Sequence, residues 1–433
     1  MKIKALAFVL MAVLLLCGCG QKSETAAATP AQAVTASAAQ SSTVRPVSTG
    51  VTPEQFGAKG DGIADDLRAL QAAMQQASAS GRPLELTAGA VYRFSSCLGL
   101  PSGLTIQGNG AVLLSDIQYP DLREDRVAVE LMKDSDDDHV HDVRLENVTF
   151  RAAHSCQANY MLRVMLARNV EFVGCTFDCE PNEWGRCAAD LYGGNENIRF
   201  EGCVFRQMTS GASGGIWVRN WTDRVESRNI RFQNCEFYKS GADELLAVWG
   251  WGGAVRDVVL SGCGFYETQE GLDADHRPVW FITLGQSGTT DVRMEDCTVR
   301  AEYCETIFRM VGDKTRAVVD NCDITMRQPD SMAKHDMKKG ANPMLARGND
   351  RADGSTVIQN SRITLSGDNG RRICYQLSAL KGNTLDVSLG YGITSTKEVS
   401  GNTIRGRIRH KVFQDCSGVE NNNVEVRRFS ILG

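Results

Sequence analysis

From about residue 84 to the C-terminus the chain alternates apolar and polar residues in short runs, as in Asn229-Ile230-Arg231-Phe232. Period-two alternation marks a strand with one buried face. The runs lead into a recurring phrase: Gly174-Cys175-Thr176-Phe177, Gly202-Cys203-Val204-Phe205, Asn234-Cys235-Glu236-Phe237, Gly262-Cys263-Gly264-Phe265, Asp296-Cys297-Thr298-Val299 and Asn321-Cys322-Asp323-Ile324. Related phrases surround Val148, Ser361, Asn383, Asn402 and Asn422, so that the motif returns every 19 to 39 residues. A repeat of this length, built of short strands and turn residues, predicts a solenoid. The Leu-rich consensus and the Trp-Asp blade ending of rival repeats are missing, which leaves a parallel β-helix. Equivalent residues of successive coils then stack about 4.8 Å apart, giving a column of Cys and Asn at one corner. Stacked Cβ atoms are slightly too far apart for relaxed bridges, so the corner cysteines are expected as buried, unbridged thiols. Variable spacing places loops of unequal length on one side of the coil, where sites are usually built.

Ahead of the repeats, Leu67, Leu70, Ala73 and Met74 have helical spacing and end before Gly81-Arg82-Pro83. An amphipathic helix here predicts a cap for the open end of the solenoid, with Asp65 or Asp66 at its N-terminus. Further upstream, Lys2 and Lys4 precede the apolar run Ala5 to Leu16 and the tetrad Leu16-Cys17-Gly18-Cys19. The run is too short to span a bilayer and reads as a secretory signal. The tetrad resembles a bacterial lipobox, which implies cleavage after Gly18 and lipidation of Cys19. Residues 20 to about 50 are almost entirely Ala, Thr, Ser, Gln and Val, with Pro30 and Pro46, and have little to bury, which makes 19–50 a lipidated cysteine and flexible linker. The organisation is therefore residues 1–18 signal peptide, 19–50 lipidated cysteine and linker, and 51–433 one β-helix domain. This predicts a protein of the bacterial cell envelope, lipid-anchored to the membrane and facing outside the cytoplasm.

Composition narrows the partners. The 433 residues carry a formal charge of −5 with acids and bases interspersed, which argues against a nucleic-acid partner. Fifteen cysteines lose Cys17 to the signal and Cys19 to lipid; the odd remainder cannot all pair within one chain.

Phe56-Gly57-Ala58-Lys59-Gly60-Asp61-Gly62 followed by Asp65-Asp66, then Ala88-Gly89-Ala90-Val91-Tyr92 and Ile106-Gln107-Gly108-Asn109-Gly110, resemble the pectate-lyase-like superfamily. The resemblance is closest to the branch of polygalacturonases and phage tailspike depolymerases. It implies an all-β, right-handed parallel β-helix acting on a polysaccharide. The opening motif is structural, with Asp61, Asp65 and Asp66 in turns and caps.

In that superfamily the cleft lies along one sheet, here the strands around Asp190, Trp217, Leu246, Trp280 and Ile307. Asp243-Glu244-Leu245-Leu246-Ala247-Val248 resembles the polygalacturonase Asp-Asp-Cys-Ile-Ala-Ile strand, and Asp190, two coils earlier, sits where a lone third acid could fall. Glycoside hydrolysis needs one carboxyl to protonate the leaving oxygen and another to activate water or attack. Asp190, Asp243 and Glu244 are the expected catalytic acids. Counting from the corner places Glu305 in the rank of Asp243 and points Trp249 and Arg309 outward. Trp217, Arg219, Trp249, Glu305, Arg309 and His276 are the expected substrate-binding residues, the indoles by stacking on sugar faces. The Gly-His-Gly and Arg-Ile-Lys motifs of polygalacturonases are absent. Asp273-Ala274-Asp275-His276-Arg277 offers alternate oxygen donors of the kind calcium takes, but reads as a solvated loop, and no cofactor or metal is expected. Cys179 and Cys187 bracket a loop with Trp184 that a disulfide could close. The reading is an extracytoplasmic glycoside hydrolase. A polysaccharide lyase or uronate epimerase using the Arg and Lys of the same face, or a non-catalytic glycan-binding or spacer protein, are the alternatives.

Overall fold

The computed structural model describes residues 50–118, 127–131, 139–179, 187–208, 215–220, 222, 225–239, 244–250, 252–267, 280–328, 343–349, 354–367 and 370–428, with the backbone alone at 207, 208 and 239. Signal peptide, Cys19, linker, Trp184, Asp243 and the Asp273-to-Arg277 segment with His276 lie outside these residues.

The corner phrase dictates the coil. Its first residue, Asn147, Gly174, Gly202, Asn234, Gly262, Asp296, Asn321, Asn360, Gly382, Gly401 or Asn421, has φ between 51° and 65° throughout. Only Gly, Asn and Asp enter this left-handed region at low cost, which explains why those three alternate there. The turn swings the chain from one sheet to the next within two residues. One coil runs from Thr176–Asp178 through Cys187–Tyr192 and Glu196–Glu201 to the corner at Gly202-Cys203. Repetition yields three parallel sheets of 14, 12 and 13 strands among the described residues, each strand pairing with its counterparts one coil away. The crossovers make a right-handed parallel β-helix.

The second residue of the phrase holds the corner from inside. The Cys203 thiol donates to the Phe172 carbonyl at 3.3 Å and that of Cys235 to Phe200 at 3.5 Å. Toward the C-terminus amides replace the thiols: Asn383 Nδ2 donates to Ile358 at 3.0 Å and Asn402 Nδ2 to Leu380 at 2.8 Å. These acceptors form one stacked column, so Cys and Asn satisfy the same buried carbonyl by different chemistry. Cys175 to Cys322 are buried and unbridged, and Cys179 and Cys187 are free thiols as well. No disulfide closes the loop between them.

The fourth residue fills the core. Phe150, Phe177, Phe205, Phe237 and Phe265 stack ring on ring at 5.0, 4.8, 5.0 and 4.7 Å. A second file, Phe172, Phe200 and Phe232, stacks at 4.7 and 4.9 Å and meets the first edge to face, as at Phe172–Phe177. Each such pair contributes about 0.5–1.5 kcal/mol beyond its area.

The helix Leu67–Ser80 closes the N-terminal end by burying Ala69, Leu70, Ala73, Met74 and Ala77. Asp66 stands at its N-cap, but its carboxylate reaches back to the Lys59 and Gly60 amides at 2.7 and 3.0 Å. Asp65 receives the Leu67 amide instead, at 3.2 Å, while Asp61 closes its own turn on the Ile63 and Ala64 amides.

Candidate functional site

Coil length varies most in one place. The corner between the 13- and 14-stranded sheets keeps its two-residue step, while the segment leading into the 12-stranded sheet stretches to residues 268–279 in one coil and 328–342 in another. The outer face of the 12-stranded sheet is therefore the one that unequal loops border. It gathers most of the expected site residues on the strands Cys187–Tyr192, Ile216–Arg219, Leu246–Trp249, Trp280–Leu284 and Thr306–Arg309.

Asp190 lies beneath this face, fully buried. Its carboxylate takes a two-pronged contact from Arg219, Nε to Oδ1 at 3.0 Å and a terminal nitrogen to Oδ2 at 3.1 Å. Arg163, one coil earlier, approaches Oδ2 at 3.3 Å. Burial opposes the charge of Arg219, but the hydrogen bond and field of Asp190 outweigh it and raise its pKa. The guanidiniums are then layered between rings: Arg219 lies 4.0 Å from Trp217 and 4.6 Å from Tyr192, Arg163 4.4 Å from Tyr160. Trp217 and Trp249 meet at 5.9 Å. Both remain partly exposed, yet their indole Nε1 atoms are buried without a hydrogen-bond partner among the described residues.

These positions set Asp190 apart from Glu244 among the expected catalytic acids. Asp190 aligns with Trp217, and Trp217 with Ala247, which is three residues further along the strand than Glu244. That offset adds about 10 Å along the strand to about 10 Å across two coils. With both oxygens committed to guanidinium groups and no access to solvent, Asp190 is placed as the anchor of an ion cluster, and Arg219 is committed to it.

Glu244 is differently placed. The Thr283 hydroxyl donates to its Oε1 at 2.6 Å, and Arg309 comes within 3.5 Å of the same oxygen. Its side chain keeps 15% exposure. Arg309 also donates to Gln286 Oε1 at 3.1 Å and lies 5.2 Å from the Trp280 ring. Glu305, half-buried, immediately precedes the strand Thr306–Arg309. The loop before it is fixed by Glu267, whose Oε2 accepts the amides of Glu302, Tyr303 and Cys304 at 2.8, 2.8 and 3.3 Å. Tyr160, Arg163, Thr283, Gln286 and Glu267 were not singled out from the sequence. Arg163 was within reach of it, one coil before Asp190 in the same register. Among the described residues no three His, Cys, Asp or Glu side chains are arranged to hold a metal ion.

No curated protein sequence matches the chain. Among solved structures, the surface adhesin PfbA of Streptococcus pneumoniae is 16% identical, with 81% of this chain and 92% of that one covered and a TM-score of 0.48. The gp42 tailspike of an Acinetobacter phage is 14% identical over 87% of this chain and 63% of that one, with a TM-score of 0.49. The A-module of an Azotobacter vinelandii mannuronan C-5 epimerase is 12% identical over 87% and 97%, with a TM-score of 0.40. The family model described as rhamnogalacturonase A/epimerase, pectate lyase-like, matches residues 51–273. That span is just over half of the 433 residues, and the chain belongs to this pectate-lyase-like family.

Proposed function

We propose that this protein acts on a polysaccharide laid across the outer face of the 12-stranded sheet, and that it is a glycoside hydrolase. The observation that carries this reading is the neighbourhood of Trp217, Trp249 and Glu244. Two adjacent, partly exposed indoles offer a stacking surface, which suits the apolar face of a sugar ring. Beside them Glu244 supplies a carboxyl in contact with Thr283 and Arg309, a group able to give or take a proton at a glycosidic oxygen. The partner carboxyl comes from Asp243, its chain neighbour, or from Glu305. Glu305 lies two coils from the Glu244 strand, roughly 10 Å away at the backbone, nearer the inverting separation of about 6.5–9.5 Å than the retaining one.

The test is a polysaccharide panel scored for new reducing ends and for the absorbance of unsaturated products. Reducing ends without absorbance are expected; absorbance would move the chemistry to a lyase. Trp249→Ala should bind the substrate so identified about tenfold more weakly, the loss of one aromatic contact of roughly 1.5 kcal/mol. Wild-type binding by that variant would dismiss the stacking surface. One observation favours a second reading. Asp190, which aligns with Trp217 one coil on, is sealed in ion pairs, as a glycan-binding protein without turnover would tolerate. Binding across the panel with no product of either kind would establish that alternative.

We also propose that lipid on Cys19 anchors the domain to the envelope membrane, facing outside the cytoplasm. Cys19→Ser should shift the protein from the membrane to the soluble fraction. An unchanged distribution would place the anchor elsewhere.

A further inference from the structure

The corner that follows the strand Trp280–Leu284 is fixed by glycine. Gly285 and Gly288 have φ of 106° and 67°, and a Cβ would strike the Thr315 side chain at the first and the Gly250 carbonyl at the second. A residue with a side chain would meet both strain and a clash there. The corner is also bonded on both sides, the Gly285 amide donating to the Val248 carbonyl at 2.9 Å and the Val311 amide to the Gly285 carbonyl at 3.0 Å. Gln286 is thereby carried at a set place beside the next coil, where its Oε1 accepts from Arg309 at 3.1 Å.

Arg309 is gripped by more than that amide. Its guanidinium lies 5.2 Å from the Trp280 ring, and the nitrogen that donates to Gln286 comes within 3.5 Å of Glu244 Oε1. Register explains the meeting. Thr283 aligns with Ala247 in the coil before and with Arg309 in the coil after, so hydroxyl and guanidinium are neighbours on the outer face. Thr283 is fully buried, and its hydroxyl donates to the same Glu244 oxygen at 2.6 Å. A hydroxyl donor and a cation on one oxygen both favour the carboxylate over the carboxylic acid. Of the other neighbours of Glu244, Gly215 in the previous coil carries no charge, and Asp243 precedes it in the chain. Glu305 precedes the Arg309 strand, and Arg347 lies one coil past Arg309.

We infer that Arg309 is a positioning residue for Glu244: braced by Gln286 and Trp280, it holds that carboxylate ionised, so that Glu244 accepts a proton and does not supply one. This rests on the reading of Glu244 as a working carboxyl. It adds the direction of proton transfer there, and it moves Arg309 from substrate contact to support. The leaving oxygen then draws its proton from the partner carboxyl. Asp190 shows the opposite use of the same pairing. Its guanidiniums cover a fully buried acid, whereas the Glu244 side chain keeps 15% exposure.

The experiment follows Glu244 itself. The full chain is labelled with carbon-13 at the glutamate carboxyls, the Glu244 resonance is identified by its loss in Glu244→Gln, and it is titrated by NMR. Removing the cation in Arg309→Gln or Arg309→Met should raise the Glu244 midpoint by about one pH unit or more, a tenfold change in its protonation. Arg309→Lys should keep most of the wild-type value. The glutamine retains a donor toward Gln286 and the methionine retains an apolar stem over Trp280, so packing and charge are tested apart. If the panel yields product, the acid limb of the pH–rate profile should move up with the midpoint, because a protonated Glu244 accepts nothing. An unshifted midpoint in either variant, with a wild-type circular dichroism spectrum, overturns the inference; so does an equal shift in Arg309→Lys. The titration requires no turnover, which separates the two readings. Product with an unshifted midpoint defeats the positioning role alone, and a shifted midpoint without product defeats the hydrolase alone.

Discussion

Glu244→Gln should lower turnover by about 10²–10⁴-fold, the usual range for losing a general acid or base, while the circular dichroism spectrum stays that of the wild type. The amide keeps the shape of the side chain and can still accept the Thr283 hydroxyl, which lies 2.6 Å from Oε1. It can neither deliver a proton to a leaving oxygen nor take one from water. The fold has no stake in the change, because the strand Leu246–Trp249 is held inside by Leu246 and Val248, both fully buried, and by its ladders to the strands one coil away. Asp243→Asn, beside it, should cost a similar factor if that residue is the partner carboxyl, and Glu305→Gln if that one is. Reducing-end formation and circular dichroism on the same preparations decide the matter. Full activity in Glu244→Gln with an unchanged spectrum would remove this carboxyl from the chemistry and advance the binding-protein reading.

The fold was legible because its determinants are local and repeated. Each corner needs a left-handed residue, so Gly, Asn or Asp recurs; most have a small donor behind it, so Cys or Asn usually follows; each core layer needs a large apolar residue two positions on. Eleven copies of one local solution cannot be mistaken for loop chemistry. The sheet that faces the long loops was legible for the same reason, since counting from Cys235 and Cys297 fixes which side chains leave the core. The chemistry of that face was harder to read because it is made between coils. Asp190 meets Arg163, 27 residues earlier, and Arg219, 29 later; Glu244 meets Thr283, 39 residues on. Loops of different length intervene, so these partners appear only once the register is known. A motif search finds Asp190 as an acid, but the two guanidiniums over it decide what kind of acid it is.

That decision has a measurable consequence in Asp190→Ala. Asp190 is the carboxylate shared by Arg163 and Arg219, which are themselves 6% and 9% exposed. Removing the carboxylate leaves two largely buried cations against the faces of Tyr160, Tyr192 and Trp217. Cation–π contacts are worth about 0.5–2 kcal/mol, less than the penalty of an uncompensated buried charge. Breaking a buried pair in this way typically costs about 3–5 kcal/mol, so the denaturant midpoint of the variant should fall sharply. The chemistry of the loss can be separated from its geometry by removing the charges together. Asp190→Leu combined with Arg163→Met and Arg219→Met fills the same space with apolar groups, and should recover most of the lost stability, because desolvated ion clusters are often no more stabilising than well-packed apolar replacements. Turnover per folded molecule in Asp190→Ala, measured well below its unfolding transition, should stay within an order of magnitude of wild type, since no oxygen of Asp190 is open to substrate. A loss of about 10²-fold or more with an unshifted midpoint would return Asp190 to the catalytic acids and undo the assignment of Arg163 and Arg219 as its structural partners.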